Sequence, residues 1–119
     1  MARDFFNMIE RVRVTVPAIL SEHQKNMIRH ALGLAQSPVG IAYRNCYSAG
    51  RDGPDYEAWR DLEARHLAMA HDVAGGFCFV ASEQAAKAVL KHNESFNAEI
   101  AENLRRIDRK IKEKAERMG

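Results

Sequence analysis

Long apolar runs are missing from this chain, and that absence sets the first limit. No stretch approaches the roughly 18 consecutive apolar residues of a membrane span, so no membrane partner is expected. The N-terminus, Met1-Ala2-Arg3-Asp4-Phe5-Phe6, has one early Arg but no small-residue cleavage site, which argues against a secretory signal. Cysteine is scarce too. Cys46 and Cys78 lie far apart, in the settings Asn-Cys-Tyr and Phe-Cys-Phe. No disulfide framework is expected from them, Cys78 reads as a small buried hydrophobe in a strand, and a reducing cytoplasm fits. Motifs that carry chemistry are absent as well. There is no Cys-x-x-Cys, and His23, His30, His66, His71 and His92 include no i, i+4 pair with a supporting carboxylate. Gly75-Gly76 is not a phosphate loop, because no glycine-rich segment precedes a helix with the needed lysine. Cys46 has no local nucleophile signature. The expectation is a protein that binds rather than catalyses, with no metal and no cofactor. A net charge of +2 does not by itself demand nucleic acid. No internal repeat or low-complexity segment is visible.

What is present is one domain's worth of material. The 119 residues are 46% hydrophobic and 29% charged, which suits a single folded core. From Asp4 to about Val12, Phe5, Met8, Ile9 and Val12 follow helical spacing, and Arg11 to Val16 alternates until Pro17. Ser21-Glu22-His23-Gln24 is a capping box that opens a helix to about Leu32, with Gly33 as its stop. Leu34 to Pro54 is rich in Gly, Ser, Pro and Asn, and reads as an ordered functional loop or a further short helix. Asp55 then caps a helix to about Leu67, anchored by Trp59 and Leu62. Met69–Val73 and Phe77–Ala81 read as two strands joined at a Gly75-Gly76 turn. Ser82 caps a final helix that could run to Met118, since no Gly or Pro occurs between Ser82 and Gly119. The organisation is residues 1–20 as N-terminal helix and connector, 21–92 as core, and 93–119 as an extension of the last helix.

That extension carries a coiled-coil-like seam, Ile100, Leu104, Ile107, Ile111 and Met118, interrupted by Lys114. So small a core is not expected to cover its far end, so the seam is a candidate for a homodimer or for packing on the N-terminal helix. Its charged residues include Arg105, Arg106, Arg109 and Lys110 beside Glu102 and Asp108. They form either a basic stripe for a partner or a solvated surface near the helix C-terminus.

Helices feeding a short hairpin give the pattern of a winged-helix-like α+β domain, mostly helical, with a long C-terminal helix. The words His30-Ala31-Leu32-Gly33-Leu34, Tyr43-Arg44-Asn45, Gly50, Asp55-Tyr56, Leu62, Leu67-Ala68 and Phe77 through Ala81 occur in one order. In them the chain resembles a group of short phage and prophage proteins of poorly defined role, over about residues 27 to 90. His66 stands where that group usually has Gly. The resemblance implies a phage or mobile-element origin and a small accessory role, with no chemistry to carry over.

The fold pattern raises DNA binding, but the presumed recognition helix carries Asp55, Glu57, Asp61 and Glu63 against Arg60 and Arg65. The wing, residues 69–76, has no Lys or Arg. The most distinctive cluster is Tyr43-Arg44-Asn45-Cys46-Tyr47, aromatics beside an Arg: either the residue types of binding hot spots and of base stacking, or Tyr43 and Tyr47 packing the loop on the core while Arg44 and Asn45 bond its backbone. The candidate partner-binding residues are therefore Tyr43, Arg44, Asn45, Tyr47, Arg51, Arg105, Arg106, Arg109 and Lys110. The first expectation is a cytoplasmic phage-type protein, in a bacterial host cell, that binds and inhibits a host protein. The alternative is a DNA-binding regulator, dimeric through Ile100, Leu104, Ile107 and Ile111, with Arg44, Arg51, Arg60 and Arg65 toward the phosphates. A third is a structural component of a phage particle.

Overall fold

A computed structural model describes residues 19–73 and 76–118. The helix and strand expected between Asp4 and Val16, and the Gly75 turn, lie outside the described residues. Helix α1 (Glu22–Ala31) starts at the expected capping box. The Ser21 hydroxyl accepts from the Gln24 backbone at 3.0 Å, and the Gln24 side chain accepts from the Ser21 N–H at 3.1 Å. Gly33, at φ 78°, then turns the chain out of the helix into a short 3-10 turn (Leu34–Gln36). Two short strands follow, β1 (Ile41–Ala42) and β2 (Tyr47–Ala49), inside the stretch expected to be a functional loop or a further helix.

Helix α2 (Pro54–Ala64) has Gly53 as its N-cap with Pro54 in the first turn, not the expected Asp55 cap. Its end comes earlier than expected, and the reason is a Schellman turn. The Leu67 N–H donates to the Leu62 carbonyl at 2.8 Å and the His66 N–H to that of Glu63 at 3.0 Å. His66 takes the left-handed position at φ 62°, the only non-glycine to do so among the described residues.

The hairpin is as expected, β3 (Ala68–Val73) against β4 (Gly76–Ala81). Strand β2 joins it antiparallel, giving the order β2-β4-β3 with α2 connecting β2 to β3. The domain is α+β, mostly helical and winged-helix-like, with a long C-terminal helix. Trp59 of α2 stacks on Phe79 at 5.5 Å between ring centroids, and both are fully buried with Ile28, Leu32 and Leu62. These side chains fill the space between the helices and one face of the sheet.

The last helix is not one rod. Helix α3 (Glu83–Ala88), capped by Ser82 as expected, stops at Val89. Strand β5 (Ser95–Phe96) then pairs parallel with β1 before α4 (Ala98–Met118) begins. No helix breaker marks this gap, so it is made by tertiary contacts. Glu94 accepts two bonds from Arg29, at 2.6 and 2.7 Å, and one from the Lys91 N–H at 2.7 Å. Asn97 then caps α4 by accepting from the Ile100 N–H at 2.8 Å.

The apolar seam of α4 also departs from expectation, because its own chain covers it. Leu104 is fully buried in the main core, with Ile100 packed against that core. Ile107 and Ile111 close on Val80, with Met69 packed alongside, on the opposite sheet face from Phe79. Helix α4 is thus held on the domain through Ile100, Leu104, Ile107 and Ile111. Among the described residues no helix is long and apolar enough to cross a membrane.

Candidate partner-binding surface

The segment from Ser37 to Tyr47 is held at several points, and its outward side chains make the surface. The Ile41 N–H donates to the Ser37 hydroxyl at 3.1 Å. The Ser95 and Asn97 N–H groups donate to the carbonyls of Gly40 and Ala42, each at 3.0 Å. An extended backbone alternates its side chains. Ala42 is fully buried, so its neighbours Ile41 and Tyr43 face out, 38% and 48% exposed, while Val39, in the turn before Gly40 at φ 69°, is 69% exposed. Three large apolar groups in a row toward solvent are unusual for a chain that otherwise buries its core well.

Gly33 fixes where Tyr43 lies. A Cβ at residue 33 would stand 2.5 Å from Tyr43 Cε1, so the ring fits only over a glycine. The Tyr43 N–H donates to the Leu32 carbonyl at 3.2 Å, which holds the residue from its backbone. The Arg44 guanidinium sits 5.6 Å from the Tyr43 ring centroid and donates to the His30 carbonyl at 2.8 Å. Sequence reasoning singled out Tyr43 and Arg44 but missed Val39 and Ile41. The alternation Ile41-Ala42-Tyr43 was the available signal for Ile41; Val39 is exposed by the turn before Gly40.

Other members of the expected cluster turn inward. Asn45 is 8% exposed, and its amide grips the backbone of Ala81 like an added rung of the sheet. It accepts from the Ala81 N–H at 2.9 Å and donates to the Ala81 carbonyl at 3.0 Å and to Asn103 Oδ1 at 3.3 Å. Its hydrogen-bonding groups are committed within the chain. The Tyr47 hydroxyl donates to Asp55 at 2.7 Å, and its ring packs between His30 and Trp59. Burial, reinforced by the Asp55 bond, pushes the Tyr47 hydroxyl up to about 12. Asp55 also lies 2.8 Å from His23 Nε2, which ties the starts of α1 and α2 together.

Cys46 and Cys78 are paired with each other, Cα to Cα 6.1 Å. This corrects the reading of Cys78 as an isolated buried residue. It is half-buried and bonded to a residue 32 positions away, in contact only once β2 lies on β4. The spacing of the two cysteines therefore gives no argument about compartment.

The basic candidates are spread over two regions. Arg51 lies over the Phe77 ring at 4.9 Å. Arg105, Arg106, Arg109 and Lys110 are all exposed on α4. Arg105 donates to Glu102 at 2.7 Å, which lowers the Glu102 pKa, while the other three have no ion pair among the described residues. Arg106 and Lys110 lie one and two turns beyond Asn103, which touches Asn45. They continue the side of α4 that faces the loop.

Helix α2 offers less. Arg60 is held by the Tyr56 hydroxyl at 2.9 Å, by Glu63, and over the rings of Tyr56 and Phe77. Arg65 is held by Asp61 at 2.6 Å and by the Ile19 carbonyl at 2.8 Å. The Gln24 side chain, then Arg65, keep the Asp61 carboxyl below its ordinary value, so it stays charged on this helix. No group of His, Cys, Asp and Glu suited to a metal ion occurs among the described residues. Compared with protein-family models, with curated proteins and with solved structures, the chain matches none.

Proposed function

We propose that this chain is a non-catalytic accessory protein of phage type that docks a host protein and inhibits it in the bacterial cytoplasm. The observation that carries the docking surface is the row Val39, Ile41 and Tyr43, each at least 38% exposed, with Arg44 over the Tyr43 ring. An apolar row ending in an aromatic and an Arg has the make-up of an interface centre, which a protein pocket can desolvate. Arg106 and Lys110 would supply a basic rim from α4. The host as source of the partner, and inhibition as the effect, rest on the resemblance to phage proteins.

Duplex DNA is a poorer fit. Arg60 and Arg65 are engaged within the chain, and α2 otherwise offers carboxylates.

The test is a pull-down from bacterial lysate with and without nuclease, read by mass spectrometry. The purified partner is then titrated with the wild type and with Tyr43→Ala and Ile41→Asp. We expect one nuclease-resistant partner and a loss of affinity of about 30-fold or more for each variant, the size of a hot-spot residue. Retention that vanishes with nuclease, or full affinity in both variants, would overturn the proposal.

A further inference from the structure

We infer that Cys46 and Cys78 form a reversible dithiol–disulfide site, exchanging with small thiols and disulfides of the glutathione class, which sets how firmly residues 43–49 are held to the sheet. The sheet register brings the pair together. Tyr47 stands opposite Phe79 and Ser48 opposite Cys78, so Cys46 lies one residue before the ladder and diagonal to Cys78 on the same face. Their Cα separation of 6.1 Å falls within the range of about 4.4–6.8 Å that a disulfide bridges without backbone movement.

Access distinguishes this pair from a buried structural bridge. Helix α4 covers that face of the sheet over Val80, Ile107 and Ile111. The neighbouring row, Ser48, Cys78 and His71, is left open: Ser48 and His71 are exposed and Cys78 is half-buried. Cys46 itself is exposed. An exposed sulfur can be approached in line by an incoming thiolate, which exchange requires. His71 stands directly across from Cys78 in the ladder.

The exchange is balanced as follows. In the oxidising direction the Cys46 thiol gives up its proton, and its thiolate attacks one sulfur of oxidised glutathione. One glutathione leaves as thiolate and takes up a proton. The Cys78 thiolate then attacks Cys46 sulfur, forming the protein disulfide and expelling the second glutathione. Two electrons pass from the protein dithiol to the small disulfide, and two protons end on the released thiols. Reduced glutathione in excess runs the same steps backward.

The consequence falls on residues 43–49. Strand β2 is three residues long and, among the described residues, pairs with β4 alone. Besides that ladder, this stretch is held by the Tyr43 N–H on the Leu32 carbonyl, Arg44 on the His30 carbonyl, Asn45 on Ala81, the Cys46 N–H on the Ala31 carbonyl and the Tyr47 hydroxyl on Asp55, all of them non-covalent. A covalent tie at residue 46 removes its freedom to lift, and Tyr43 and Arg44 lie just before it.

This inference does not depend on any partner, and its test uses the isolated full chain. The chain is equilibrated with oxidised or with excess reduced glutathione, free thiols are trapped by alkylation, and the mass is read. Amide exchange over residues 43–49 is followed in both states. We expect two unreactive cysteines in the oxidised sample and two alkylated ones in the reduced sample, with no denaturant needed. Amide protection of 43–49 should drop on reduction, while that of α1 and α2 should hold. Cys78→Ser should accumulate a glutathione adduct on Cys46. A bond that opens only in denaturant, thiols that never pair in the folded chain, or equal protection in both states would overturn the inference. A chain carrying both Cys46→Ser and Cys78→Ser should show the reduced-state protection in either glutathione sample, and a response to glutathione there would also refute it.

Discussion

Replacing Asn45 by Ala separates a residue that contacts a partner from one that holds the fold. Its amide is committed to the backbone N–H and carbonyl of Ala81, a fully buried residue, and to Asn103. Truncation leaves the Ala81 groups without partners, and each unmatched buried polar group costs about 1–3 kcal/mol. Some of that is recovered if water enters from the Cys46 side, so the expected loss is about 3 kcal/mol. For a domain of this size that is a fall in Tm of roughly 10 °C. Urea unfolding followed by Trp59 fluorescence measures it directly, since Trp59 is fully buried between Tyr47 and Phe79. Asn45→Asp keeps the acceptor for the Ala81 N–H but sets a carboxylate against the Ala81 carbonyl. Its folded pKa should lie above the unfolded value, so its stability is greatest in acid and is lost as pH rises through the folded pKa. A loss below about 0.5 kcal/mol for Asn45→Ala would refute the clamp, that being the usual limit for surface positions. Lost partner affinity with stability intact would restore Asn45 to the binding surface.

His66→Gly should stabilise the chain by about 1 kcal/mol, because His66 holds φ 62° at the end of α2 where glycine carries no strain; equal or lower stability in the same urea assay would count against that account. The pair Arg29–Glu94 predicts an acid limb. Arg29 holds the Glu94 carboxyl down from 4.5 to about 2, a difference worth about 3 kcal/mol at 1.36 kcal/mol per unit. A lowered folded pKa gives stability that is present above the unfolded value and lost as pH falls toward 2. Stability measured from pH 6 down to about 2 should show that loss in the wild type, and it should be largely absent in Glu94→Gln, which keeps the shape without the titration.

The local signals proved dependable where one residue dictates its own backbone. Ser21 with Gln24, Gly33, Ser82 and the alternating strands of the hairpin all act within a few residues, and each is visible in the amino-acid order. Trp59 and Leu62 as core anchors follow in the same way from helical spacing. Sites that depend on distant partners were not legible. No Gly or Pro in Leu90 to Asn97 marks a helix break; Asn97 as a cap was the one local sign, and the gap is held open because Glu94 is bound by Arg29 and β5 by β1. The seam from Ile100 to Ile111 has a coiled-coil spacing whether a second copy or the chain's own sheet covers it. Only the placement of Val80 and Met69 on the free sheet face decided that.

The 43–47 cluster shows the same division at single residues. Composition could say that Tyr43, Arg44, Asn45 and Tyr47 were of contact-making types, but not which way each pointed. Tertiary structure turned Tyr43 outward over Gly33, and bound Arg44 to His30, Asn45 to Ala81 and Tyr47 to Asp55. It also brought Cys46 to Cys78 across 32 residues. Caps, turns and periodicities are fixed by neighbours in the chain. Which face is covered, and which sulfur meets which, is fixed by residues that become neighbours only when β2 settles on β4.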